Sequence, residues 1–212
     1  MARPQTDIDA TKQELLDIVE AMVAKRGAVE ITVNELAAEA GMSPSNLYRF
    51  FENKEAILEA AAERWFAPKI AIMEEVVALP LPAHEKLYQF FVRRYRLSCQ
   101  QLAADPQLFQ SYMELGAQHF EVVRGYVDLG DHYLAIIVAE AMEQGFFTDL
   151  TIDETVSLIN QMVHVYCNPE VLVFLAHKMS ENKLSLIVDA IFAGLGQGAK
   201  PVADVPNIKV VS

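Results

Sequence analysis

The 212-residue sequence has two cysteines and one tryptophan, and its 17 Lys and Arg are outnumbered by 29 Asp and Glu, leaving a net charge of −12. Cys99 and Cys167 stand far apart, each inside an apolar helical pattern, which excludes a disulfide framework and suits a reduced cytosol. No run of about 18 uninterrupted apolar residues occurs, so no helix is expected to cross a membrane. The opening Met1-Ala2-Arg3-Pro4-Gln5-Thr6-Asp7 lacks the apolar core of a secretory signal. The expected location is the cytoplasm, with no membrane partner. A Gly-rich phosphate loop, a nucleophile elbow and a metal-ligand cluster are all missing, and the acidic residues are spread over helix faces. These absences point away from an enzyme, a metal centre and a cofactor.

What is present is helical. At 52% hydrophobic content the chain can build a small N-terminal domain and a larger second one, each with its own core. The most informative stretch runs from Thr32 to Phe51. Thr32 with Glu35 reads as a capping box that opens a helix, and Leu36, Ala37 and Ala40 form its inner face. Gly41 supplies the positive φ that ends it, Met42 turns inward, Ser43 is an N-cap, and Pro44 fits the first position of a second helix. Leu47 and Phe50 are the buried positions there, so Ser45, Asn46, Tyr48 and Arg49 point outward. Two short helices held by a glycine turn, the second with a polar, aromatic and cationic face, suit the DNA major groove. The alternative for Tyr48 and Arg49 is a solvated helix face.

The flanks extend the unit. Upstream, Thr11 and Glu14 read as a second capping box before an apolar stripe of Leu15, Ile18, Val19 and Met22, ending at Lys25-Arg26-Gly27. Downstream, Asn53 caps a longer helix that starts with Lys54 and Glu55.

The elements Thr-Val-x-x-Leu-Ala-x-x-Ala-Gly-x-Ser and Leu-Tyr-x-Phe-Phe-x-x-Lys-Glu, within residues 11–66, resemble the DNA-binding domain of the TetR family of bacterial transcriptional regulators. That resemblance implies an all-α homodimer, usually a repressor, whose larger C-terminal domain binds a small molecule and thereby releases DNA. Pro44 departs from it, standing where many members carry a polar or basic side chain. The fold expected is an N-terminal three-helix helix-turn-helix domain (1–66), joined by a connecting helix to a helical ligand-binding and dimerisation domain (67–198). A loosely held tail (199–212) follows.

Charge argues against DNA binding overall, because residues 1–66 carry 7 Lys and Arg against 12 Asp and Glu. Locally the balance differs. No acidic residue lies between Gly41 and Phe51, Arg49 and Lys54 flank that window, and helix N-termini add partial positive charge. The residues expected to meet a double-stranded operator are Thr32, Ser43, Pro44, Ser45, Asn46, Tyr48, Arg49 and Lys54. Thr32 and Lys54 are assigned to phosphates, and Ser45, Asn46 and Arg49 to base edges.

Pro68 interrupts the connecting helix, predicting a kink or break there, either a hinge for ligand-induced movement or a static bend. Beyond it, helices are expected at about 83–103, 106–115, 118–144, 153–166, 169–179 and 182–196, with Gly116 as one of the breaks. Leu158, Ile159, Met162, Val163 and Val165, with Leu184, Ile187, Val188, Ile191, Phe192 and Leu195, are more apolar than a monomer surface tolerates. They either build a four-helix dimer interface or close the monomer's own core.

For a small-molecule effector, hydrophobic or aromatic, the candidate residues are Phe91, Arg94, Tyr95, Phe109, Tyr112, Met113 and Tyr133. An aromatic stripe at helical spacing also serves as plain core. Arg94 is the more telling residue, because a cation near Phe90 and Phe91 needs an anion from ligand or protein. Arg93 and Arg96 are read as solvated. His164 and Cys167 lie one turn apart, as metal ligands would, but two ligands make no site. The competing functional reading is a helix-turn-helix adaptor or activator controlled by a protein partner.

Overall fold

The computed structural model describes residues 8–26 and 31–195 and is built of α-helices, with no strand among the described residues. The tail expected over 199–212 lies outside them. The N-terminal helices are α1 (Ile8–Arg26), α2 (Val33–Glu39) and α3 (Pro44–Leu47), followed by α4 (Lys54–Ala78). Then come α5 (Ala83–Ala104), α6 (Pro106–Gln118), α7 (Phe120–Glu143), α8 (Ile152–Cys167), α9 (Pro169–Leu175) and α10 (Glu181–Gly194).

Two cores organise them. Leu15, Val19, Leu36, Leu47, Phe50, Ile57 and Leu58 close the first, which also recruits Tyr112 and Leu115 from α6. The second is built from α4, α5, α7, α8 and α10 around Phe90, Phe91, Leu134, Ile159 and Leu184. Trp65 packs against both.

Three expectations are corrected, and one open alternative divides. Thr11 does not open α1, because the helix is already under way at Ile8 and Asp9 supplies its acidic first turn. The break at Pro68 does not occur: α4 runs unbroken for 25 residues, with Pro68 on its exposed side. There the carbonyl left without a partner can meet water, and packing of α4 on α5 and α7 outweighs a proline cost of about 3 kcal/mol. Gly116 does not end α6. It is buried inside the helix, and a Cβ there would stand 3.1 Å from Val123 Cγ2, so the missing side chain lets α7 come close. Finally, the apolar positions of α8 and α10 divide. Ile159, Val163, Leu184, Val188, Ile191 and Phe192 close the monomer's own core, while Met162, Val165 and Leu186 remain outside.

The helix-turn-helix follows its local chemistry. Thr32 Oγ1 accepts from the Glu35 amide at 3.3 Å, and Glu35 Oε2 accepts from the Thr32 amide at 3.0 Å and hydroxyl at 2.7 Å. Glu35 Oε1 also accepts from Arg26 Nη2 at 2.9 Å, tying α2 back to the end of α1. Gly41 takes φ +64, the left-handed turn in which a Cβ is strained. Ser43 Oγ accepts from the Asn46 amide at 3.3 Å, and Pro44 begins α3.

Thr32→Ala is expected to lower stability by about 1 kcal/mol in urea unfolding. The bond from Arg26, then those from Thr32, hold the Glu35 carboxyl down from its usual 4.5 to about 2. Its stabilising effect is therefore complete above 4.5 and lost as pH falls through about 2. The difference in Tm between the parent and Glu35→Gln should vanish at that acid limit.

Candidate DNA interface and effector site

The outer face of α3 is assembled by caps and by one internal clasp. Ser45 and Tyr48 are exposed, and Arg49 is held by Asn46, whose Oδ1 accepts from Arg49 Nη1 at 3.3 Å. The Ser43 and Ser45 hydroxyls lie 3.0 Å apart. Pro44, at the first position of α3, is exposed too. Thr32 and Lys54 line a single shallow depression with Ile31, Val33, Ile57 and Leu58. The N-termini of α2 and α4 therefore meet at one spot, where first-turn amides and an ammonium group suit a phosphate. The Thr32 hydroxyl is engaged with Glu35, so at that position the helix amides are the better donors. Lys12, which sequence reasoning passed over, lies 5.8 Å from the centroid of the Phe51 ring and brings a further cation near α3. Nothing in its spacing signals this, because the approach depends on where α1 lies against the segment that follows α3.

Charge ties α1 to α4 within the N-terminal domain, and a hydrogen bond and ring stacking join both to α6 of the larger one. Arg64 pairs with Asp17, approaches Glu20 at 3.7 Å, and donates to the Gln13 carbonyl at 3.2 Å. Tyr112 donates its hydroxyl to Glu20 at 3.3 Å and stacks on Trp65, with ring centroids 4.2 Å apart and planes 11° apart. Phe109 meets the same indole edge-on at 5.8 Å.

The remaining effector candidates are scattered by the fold. Phe91 is fully buried, with the Arg94 guanidinium 5.1 Å from its ring centroid. Tyr95 packs edge-on against Tyr166, Met113 is half-buried, and the Tyr133 hydroxyl donates to Glu74 at 2.8 Å. Arg93 and Arg96 are engaged by acids, Arg93 by Glu75 at 2.8 Å and Arg96 by Glu181 at 2.7 Å. His164 lies 3.3 Å from the Asn168 amide nitrogen. A separate open groove of about 620 Å³ runs between α7 and α8, lined by Asp128, Asp131, His132, Asp153 and Asn160 among others. None of the candidate effector residues lines it.

Sequence reasoning missed Lys69, which is 7% exposed. Its Nζ donates to Gln101 Oε1 at 2.9 Å and lies 4.7 Å from the Trp65 ring centroid. Only the three-dimensional crossing of α4 and α5 buries it; in the sequence it is one lysine beside a proline. Burial, with help from the Arg94 charge, lowers its pKa from 10.5 to about 8. The unfolded chain therefore binds this proton more tightly, and the burial cost applies in full below pH 8 and fades between 8 and 10.5. That cost is on the order of 2–3 kcal/mol. Lys69→Met should raise Tm by roughly 5 °C at pH 7. The advantage over the parent should shrink as pH rises past 8.

Residues 12–61 match the family model of bacterial regulatory proteins of the tetR family, and residues 83–188 match that of the tetracyclin repressor-like C-terminal domain. A fatty acid metabolism regulator protein of Bacillus subtilis is 28% identical over 160 residues, covering 68% of this chain and 80% of the relative. The crystal structure of the B. subtilis regulator FadR in complex with stearoyl-CoA is similar in fold, with a TM-score of 0.59 and 23% identity over 86% of this chain and 98% of the other. SmeT, repressor of the Stenotrophomonas maltophilia multidrug efflux pump SmeDEF, gives a TM-score of 0.65 at 19% identity, covering 88% and 91%. A SmeT–triclosan complex gives 0.64 at 17% identity, covering 93% and 100%. With both halves of the chain matched and the helix-turn-helix built as its sequence requires, the protein belongs to the TetR family of bacterial transcriptional regulators.

Proposed function

We propose that the protein is a cytoplasmic, homodimeric repressor that binds a palindromic operator through α3 and lets go when a small hydrophobic or aromatic ligand enters the C-terminal domain. The observation that carries this reading is the acid-free outer face of α3. Ser45, Tyr48 and Arg49 stand exposed on a doubly capped helix-turn-helix, with Thr32 and Lys54 together at its flank. Phosphate contacts would set register, and Asn46 and Arg49 would read bases. Relatives support the effector part, since similar folds are described with stearoyl-CoA and with triclosan. Exposed Met162, Val165 and Leu186 on α8 and α10 support a two-fold pairing, which in turn favours a palindromic site.

The test begins with selection of an operator from random DNA and measurement of binding by anisotropy. Arg49→Ala should cost about 1–3 kcal/mol and relax the preference at one base position, whereas Lys54→Ala should weaken all sequences alike and reduce the salt slope by about 1. Stearoyl-CoA or triclosan should lower operator affinity. Full operator affinity in Arg49→Ala, or no response to any hydrophobic compound that binds the protein, would contradict the proposal.

A further inference from the structure

Two cations packed against aromatic rings in the C-terminal domain have no acid. Lys69 on α4 and Arg94 on α5 form no ion pair with any carboxylate among the described residues. The contrast within the molecule is direct. Lys86, as buried as Lys69, is met by Glu140 at 2.7 Å and by the Val77 carbonyl at 2.9 Å. Lys69 has instead one neutral amide oxygen and the faces of Trp65 and Phe66, 4.7 and 6.0 Å from their ring centroids. Arg94 donates to the Phe90 carbonyl at 2.9 Å, lies 4.1 Å from the Phe90 ring centroid, and reaches Met73 Sδ, one turn along α4 from Lys69, at 3.9 Å. The two positive charges thus sit near enough to oppose each other, and the Arg94 charge contributes to the lowered pKa of Lys69.

A glycine and an aromatic pair stand beside these two cations. Gly130 of α7 faces Arg94, and even with a Cβ added it would leave 3.9 Å to Nη1. Phe66 and Tyr126 stack beside them with centroids 4.5 Å apart. Desolvation pushes the Cys167 thiol up, and the Arg94 charge reaches it and opposes that rise. Burying two like charges without a counter-ion is costly, and a bound anion removes that cost.

We propose that Lys69 and Arg94 clamp the anionic head, carboxylate or phosphate, of an amphipathic effector whose apolar body lies against Phe66, Phe90 and Tyr126. This deepens the ligand-responsive reading above and rests on it. The head group draws Lys69 off the indole face of Trp65, so binding is registered at the ring that stacks on Tyr112.

The full chain is titrated with dodecanoate, monododecyl phosphate and dodecanol, each below its micelle concentration, by calorimetry and by the emission of the single tryptophan, Trp65. At least one of the anions should bind at least about tenfold more tightly than the alcohol and shift Trp65 emission, and their ranking distinguishes a carboxylate from a phosphate head. Lys69→Gln and Arg94→Gln should each lower anion affinity about tenfold or more without changing alcohol binding, and Arg94→Lys should restore part of the loss. Alcohol binding as tight as anion binding, anion affinity unchanged in both variants, or no binding by any of the three would overturn the clamp. Operator release by dodecanol as effective as by the anions would leave the repressor reading intact and overturn the clamp alone. Anion binding through Lys69 and Arg94 without operator release would support the clamp and remove the repressor reading.

Discussion

Trp65 is the side chain on which both halves of the molecule depend. One face of its indole stacks on Tyr112, Phe109 packs at a steep angle to it, and the Lys69 ammonium lies 4.7 Å from its centroid. Through Tyr112 it reaches Glu20 of α1, and through Lys69 it reaches the α4–α5 crossing. An aromatic stack contributes about 0.5–1.5 kcal/mol beyond the area it buries, enough to bias an orientation without freezing it. Because α4 is unbroken through Pro68, the helix-turn-helix is joined to the larger domain by one continuous helix and by this ring cluster. A change at Lys69 therefore acts where α4 and α6 touch.

The distribution of charge makes the acidic composition compatible with both roles. Several Arg and Lys on the C-terminal domain are matched by acids, as Arg93 by Glu75, Arg96 by Glu181 and Lys86 by Glu140. Among the described cations without an ion pair are Arg49 and Lys54 in the DNA-binding domain, and Lys69 and Arg94 packed inside the C-terminal domain. Charges separated by more than about 10 Å are screened at moderate salt, so a net −12 does not prevent either group from attracting an anion nearby. The same arrangement sets a conflict between stability and response. Lys69 makes the empty protein less stable than an apolar residue would.

What the sequence made legible was local. Thr32 with Glu35, Gly41, and Ser43 with Pro44 act through neighbours within a few positions, and the structure forms those caps and that turn as the spacing requires. Helix locations in the second half were legible for the same reason, from Asp105-Pro106 and Asn168-Pro169. Interactions between distant residues were not. Gly116 reads as a breaker until α7 is seen packed on it, and the division of α8 and α10 into core and exposed faces depends on the angle at which they meet α5. Arg94 was identifiable from its place beside Phe90 and Phe91, but the absence of an acid for it, and the burial of Lys69, are properties of helix crossings that no periodicity encodes.

The central claim is that Trp65 carries the state of the effector site to the DNA-binding helices. It is tested most directly by the ratio of operator Kd with and without saturating stearoyl-CoA, compared between the parent and Trp65→Leu. The account predicts that the variant still binds operator and still binds stearoyl-CoA, while the ratio falls from the several-fold or larger value typical of coupled sites toward one. A variant that binds both ligands and keeps the parent's ratio would contradict it.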